Sequence, residues 1–233
     1  MRALPWLLSL IALPALANDR WGGSVALTSD YRLRGVSQSD GSAALQADVH
    51  YDSPGGWLAG IWASSVELYS QETTRIELNA FLGYRWAINS DWSARLVASH
   101  YAYPWNSAAK RYAYDDLTAG AAWRDRLFFS ATWSPNSSIV STRGFGWERS
   151  TLTYDITARA PVTSRLSGVA GVGYYDLSEL IGTGYWYGSA GLAYDLPRLH
   201  FDVSRIQNSA AANRLFHGGV ADNNWTATVM WTF

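Results

Sequence analysis

Along most of the chain, hydrophobic and polar residues alternate with a period of two. The longest run sets Ile76, Leu78, Ala80, Leu82, Tyr84 and Trp86 against Arg75, Glu77, Asn79, Phe81, Gly83 and Arg85. Side chains two apart share one side of a strand but not of a helix, so this spacing predicts strands. The same phase recurs over 45–52, 92–99 and 152–159. Twelve strands are predicted, near 24–33, 43–52, 57–66, 75–86, 91–103, 114–123, 126–134, 149–160, 165–175, 184–196, 199–206 and 223–233. Most approach the roughly 9–11 residues that a tilted strand needs to cross a bilayer. Segments 57–66 and 165–175 are rich in Gly and Ala, and their pattern does not declare which face is apolar.

The connections sort by length. Short links at 53–56, 87–90, 124–125, 161–164 and 197–198 alternate with longer ones near 34–42, 67–74, 104–113, 135–148, 176–183 and 207–222. Outer-membrane barrels have short periplasmic turns and longer outside loops. The expected fold class is therefore all-β: a transmembrane antiparallel β-barrel of about 12 strands with both termini periplasmic. Trp21, Tyr51, Trp57, Trp86, Trp92, Trp123, Tyr194 and Trp231 fall near the short turns, where an amphipathic ring would sit at headgroup level. The plainer alternative, core packing in a soluble barrel, accounts poorly for so many Trp at strand ends, because Trp is rarely fully buried.

Composition narrows the class further. The 233 residues include 13 Trp and 14 Tyr, while only 16% are charged. Beyond residue 17 there is no apolar run long enough for a membrane helix, whereas alternating barrel strands escape that test. Residues 1–17 carry one cation, Arg2, then an apolar run and Ala15-Leu16-Ala17, the small-x-small pattern of a cleaved signal peptide. Residues 18–233 are then a single outer-membrane barrel domain. There are no cysteines, which excludes a disulfide framework, a thiolate metal site and a cysteine nucleophile. With no clustered basic face, nucleic acid is not an expected partner.

Candidate chemistry lies on the polar face of the strands. By phase, the pore-lining candidates are Arg32, Asp48, His50, Glu77, Arg85, Arg95, Asp155 and Arg159, with Asp30, Asp52, Arg75, Asp116 and Asp202 on the same side. Such charges set the profile met by a solute, though mixed signs also pair and simply fill a lumen. Arg85 and Arg95, on adjacent strands, are the pair expected to matter most, with Glu77 and Asp155 as countercharges. A twelve-strand barrel lies between filled eight-strand barrels and wide porins, so a narrow pore and a plugged barrel are both open. Loops 135–148 and 207–222 are the ones expected to fold inward, helped by Gly144, Gly146, Gly218 and Gly219. None of His50, His100, His200 and His217 has a Ser two residues on, and Ser99 points away from His100, so no nucleophile–base–orienter set is assembled. No catalytic residue, cofactor or metal is expected.

The chain ends on Trp225, Ala227, Val229, Trp231 and Phe233 in phase. An alternating last strand with Trp231 and the terminal Phe233 is similar to the assembly signal read by the bacterial barrel-assembly machinery. The run from Val25 to Asp40, with its Tyr31-Arg-x-Arg-Gly-x-Ser-Gln38 pattern, resembles the opening of the TorF porin family, proteobacterial proteins of unknown function. The stretch Gly56 to Ser64 and the chain length are also similar to that family. The resemblance implies an outer-membrane, porin-like protein of Gram-negative bacteria and supplies no substrate. The expected function is passive diffusion of small hydrophilic solutes; the alternative is a plugged barrel acting as a binding or structural protein. The expected partners are outer-membrane lipid, the barrel-assembly machinery and those solutes; the sequence leaves the oligomeric state open.

Overall fold

A computed structural model of the protein describes residues 21–68, 75–104, 113–138 and 148–233. The expected signal peptide, residues 1–17, lies outside the described residues, as do Gly144, Gly146 and parts of the long connections near 67–74, 104–113 and 135–148.

Twelve antiparallel strands close into a barrel. In chain order they are β1 (Trp21–Thr28), β4 (Ala44–Asp52), β5 (Trp57–Ser65), β6 (Ile76–Ala87), β7 (Trp92–Ala102), β8 (Tyr114–Trp123), β9 (Leu127–Ser137), β10 (Arg149–Pro161), β11 (Leu166–Leu177), β12 (Thr183–Asp195), β13 (Leu199–Asn208) and β14 (Asn224–Thr232). Two short strands, β2 (Arg32–Leu33) and β3 (Val36–Ser37), form a separate hairpin between β1 and β4. Two short helices, α1 (Ser178–Ile181) and α2 (Ala210–Leu215), lie in the last two loops.

Closure joins the two termini. β14 pairs with β1 from Ser24↔Thr232 to Thr28↔Thr228. The Phe233 backbone then exchanges bonds with Gly23, N–H to O at 3.0 and 3.1 Å. Gly23 permits this, because a Cβ there would stand 2.6 Å from the Phe233 ring. No strand edge is left to lipid, which could not satisfy it. An even strand number also puts both termini at the end of the barrel that carries the short turns.

The outward face is apolar and exposed, including Leu27, Leu45, Val49, Ile61, Leu82, Ile156, Leu192 and Val203. A wall of this kind is stable only against hydrocarbon. Aromatic residues border it. At the short-turn end Trp21 meets Tyr51 at 5.3 Å, Trp57 meets Tyr84 at 5.1 Å, and Trp231 meets Phe233 at 5.1 Å. Toward the loops, Tyr174 packs on Trp186 at 4.8 Å. These are the two interfacial girdles of a transmembrane barrel.

The first predicted strand is shorter than its pattern suggested. It leaves the wall after Thr28, because Arg34 (φ 53°) and Gly35 (φ 81°) make a left-handed turn that folds residues 29–43 back. β9 runs past residue 134, accommodated by a register shift against β10 between Arg149 and Thr151.

Candidate functional site

The lumen has two unlike halves. Toward the short turns, inward charges such as Asp48, His50, Arg85, Arg95 and Arg159 are partly buried, beside two buried apolar clusters, Leu58 with Phe81 and Val97, and Phe128 with Val169 and Ala193. Toward the loops nearly every inward side chain is buried, because two segments fold over the mouth.

The first is the β2–β3 hairpin. Asp30 organises it, accepting from Arg32 Nε at 2.6 Å, Ser37 Oγ at 2.5 Å and Ser39 Oγ at 3.2 Å. From that base Arg34 reaches over the lumen. Its Nη2 donates to Asp116 Oδ2 on β8 at 3.0 Å, and its guanidinium lies 4.4 Å from the centre of the Tyr175 ring on β11. Tyr185 OH on β12 donates to the Arg34 carbonyl at 2.9 Å. On the other side Tyr31 OH donates to Glu77 Oε1 on β6 at 3.0 Å, and Tyr103 OH to Glu77 Oε2 at 2.8 Å. Tyr31 also packs with Ala44, Val66 and Tyr103. The hairpin is thus tied to walls on several sides of the barrel.

The second segment is 209–222. Ala212 of α2, Val220 and Ala221 are buried against Val36, Leu177, Tyr185 and Tyr187. Arg32 Nη1 donates to the Asp222 carbonyl at 2.7 Å and Asn208 Nδ2 to the Gly35 carbonyl at 2.9 Å, so the two segments form one cover. Gly218 and Gly219 both take positive φ in this bend. The inward fold expected of 207–222 is present. Residues 139–147 of the other loop lie outside the described residues, and the hairpin within 29–43 stands where the sequence pattern predicts a strand end and a loop.

Arg32 is on the hairpin rather than on the wall. Arg85 and Arg95 face inward and are direct cross-strand partners. The countercharges differ from those expected. Asp52 lies 3.7 Å from Arg85, while Glu77 is held by the two tyrosines and Asp155 accepts from Tyr187 OH at 2.5 Å. Arg159 pairs with Asp195, which also lies 2.9 Å from His200 Nδ1. His200 therefore takes a partner across the turn rather than Asp202 two residues on. His50 Nδ1 lies 2.6 Å from Asp48, whose other oxygen accepts from Ser24 Oγ. Ser24 thus meets the acid and not the imidazole, the wrong order for an activated nucleophile. Among the described residues there is no cluster of His, Asp and Glu suited to a metal.

β7 and β13 lie six places apart in the twelve-strand ring, so Arg95 and Asp202 occupy opposite walls. Arg95 Nη1, Arg159 Nη1 and Asp202 Oδ2 are buried without a hydrogen-bond partner. A buried, unpaired polar atom costs roughly 1–3 kcal/mol, which favours water in this half of the lumen.

Closed strands, a lipid-facing apolar wall, paired aromatic girdles and a charged interior define an outer-membrane β-barrel. The chain belongs to the family described as "Bacterial protein of unknown function (Gcw_chp)", which matches residues 17–233. No curated protein matches it by sequence. Among solved structures it is similar to the KdgM porin (12% identity, TM-score 0.54, covering 91% of this chain and 99% of that one). It is also similar to the NanC porin (10% identity, TM-score 0.56, covering 91% and 97%). A further KdgM structure, in complex with disordered oligogalacturonate, matches at 11% identity and a TM-score of 0.51, covering 91% and 99%. At these identities the likeness is one of fold.

Proposed function

We propose that this chain is a porin-like channel that passes small hydrophilic solutes passively, with its long loops outside the cell and both termini in the periplasm. The observation that carries the reading is the partly buried set of inward charges, with Arg85 beside Arg95 and with Asp48, Asp52 and Arg159 on other walls. Charge taken out of water is costly even when it is paired, so a barrel that served only as a scaffold would gain nothing from it. The hairpin and the 209–222 segment set the width of the passage. Acids and bases share the ring, so acidic sugars of the kind in the KdgM complex are not assigned as its solute.

The proposal includes export by a cleaved leader, residues 1–17, and insertion by the barrel-assembly machinery. The in-phase last strand and the docking of Phe233 on Gly23 support the latter. The TorF name is part of the same proposal and rests on the Tyr31–Gln38 pattern, which forms the inserted hairpin. No catalytic chemistry is assigned.

The test is single-channel conductance of residues 18–233, refolded into a planar bilayer. Stepwise conductance that follows salt concentration supports the channel. One observation favours a second reading, a plugged binding or structural barrel: the ties of Arg34 and Tyr31 across the mouth. A correctly folded, heat-modifiable but silent barrel establishes that reading instead.

A further inference from the structure

The outward wall of β12, β13 and β14 falls into register rows, counted here from the loop end down. The first pairs Gly188 with Gln207, and the second sets Ala190, Arg205 and Trp225 side by side. The third holds Leu192, Val203 and Ala227, and the fourth Tyr194, Phe201 and Val229. Gln207 and Arg205 thus occupy the two rows nearest the loops, and the rows below are apolar or aromatic.

Arg205 is the exception on this wall. Its neighbours Ser204 and Ile206 are buried toward the lumen, so Arg205 itself points outward. Arg85, Arg95 and Arg159 face inward instead, and Arg149 opens β10 at the mouth. The Arg205 guanidinium lies 6.0 Å from the centre of the exposed Trp225 ring. Among the described residues no carboxylate pairs with it, whereas Arg32, Arg34, Arg85, Arg124 and Arg159 each have one. A charge on a lipid-facing wall is costly without a counter-charge and is tolerated best near an interface. Arg205 stands close to the loop end of β13, at that interface.

On such a wall the counter-charge at hand is a lipid head. A guanidinium holds a phosphate through paired N–H donors, and Gln207, exposed in the row above, adds an amide donor. Gly188 and Ala190 leave the β12 side of Arg205 open, while Trp225 walls the β14 side. Leu192 and Val203, both exposed, continue the surface toward the bilayer centre. No carboxylate stands in these rows, so the cation of a zwitterionic head would find no partner there. We infer that this face binds a membrane lipid with an anionic phosphate head. The phosphate accepts from Arg205 and Gln207, and an acyl chain lies over Ala190 and Leu192. The inference needs only the lipid-facing wall and is independent of whether the lumen conducts.

The experiment is native mass spectrometry of the refolded barrel, titrated in mild detergent with dioleoyl-phosphatidylglycerol, -phosphatidylethanolamine and -phosphatidylcholine. A glycerol-lipid adduct is expected, about tenfold favoured over the two zwitterionic lipids. Arg205→Gln is expected to weaken it about tenfold and to abolish the preference, with Arg205→Lys in between. Arg198→Gln, which removes a cation from a short turn at the other interface, is expected to leave the adduct unchanged. Heat-modifiable migration verifies that each variant is folded. Equal adducts for the three lipids, preference for a zwitterionic lipid, or a preference that survives Arg205→Gln would each overturn the assignment, as would an equal loss in Arg198→Gln. So would an adduct of glycerol phosphate as strong as that of the lipid, which would make this a site for free phosphate esters.

Discussion

Arg34, on a hairpin hanging from β1, donates to Asp116 on β8 at 3.0 Å, so a loop at one side of the barrel is anchored on another. Both side chains are almost fully buried, and the cation also lies over the Tyr175 ring. Removing one member of a buried pair leaves its partner's charge uncompensated, which costs about 3–5 kcal/mol. Arg34→Ala is therefore expected to destabilise the barrel by about 3 kcal/mol in urea unfolding and to raise single-channel conductance. Arg34→Met with Asp116→Leu is expected to recover much of the stability while keeping the larger conductance. A stable Arg34→Ala variant of unchanged conductance would mean that the hairpin holds its place by its apolar contacts and Tyr31 alone.

The hairpin can be displaced by a second, uncharged route. Gly35 has φ 81°, and a Cβ there would stand 2.1 Å from Asn208 Oδ1 and 2.8 Å from the Tyr187 Cβ. Gly35→Ala is thus both strained and crowded, with an expected loss of more than about 1 kcal/mol. It is expected to reproduce the conductance gain of Arg34→Ala without altering any charge. Agreement between the two variants assigns the gain to movement of the hairpin, and disagreement assigns it to electrostatics.

The barrel was legible in the sequence because lipid on one side and polar contents on the other force alternation, as in Ile76–Trp86. Phase placed Arg85 and Arg95 inward on adjacent strands, while their standing as direct partners is a matter of register that the structure supplies. The hairpin was not legible, for a physical reason. Asp30, Tyr31, Arg32 and Arg34 keep a strand-like mixture of residues, but Tyr31 is tied to Glu77, and Arg34 to Asp116, Tyr175 and Tyr185, far along the chain. Local pattern cannot report contacts made across a lumen. The available signal was Arg34-Gly35 followed by Ser37 and Ser39, a turn with hydroxyls spaced to satisfy Asp30. The outer His100–Asp115 pair was missed because phase placed His100 outward without supplying its partner on the next strand.

Arg85 and Arg95 stand directly opposite one another on neighbouring strands, facing the lumen. Two adjacent guanidinium groups raise the local anion concentration in a narrow, low-dielectric passage. Replacing both with Ser is expected to shift the reversal potential in a salt gradient toward cation preference, with Asp48 and Asp52 left as the dominant nearby charges. An unchanged reversal potential would remove these two residues from the selectivity of the passage.

A last prediction concerns the short turns, outside the membrane. Arg124 Nε and Nη2 donate to Asp91 Oδ1 and Oδ2 at 2.9 and 3.0 Å, linking the turn after β8 to the one before β7. These bonds, with the nearby positive charge, hold the Asp91 carboxyl below its ordinary value. A carboxyl depressed in the folded state stabilises above its unfolded pKa, about 3.9, and that contribution is lost as pH falls through the folded value. Wild type and Asp91→Asn are thus expected to differ in unfolding midpoint near neutral pH and to converge on acidification below about pH 4. The difference is expected to be small, and to shrink with added salt, because both groups are exposed to solvent. A difference that persisted to low pH would trace the loss to the turn geometry of the Asn substitution and not to the ion pair.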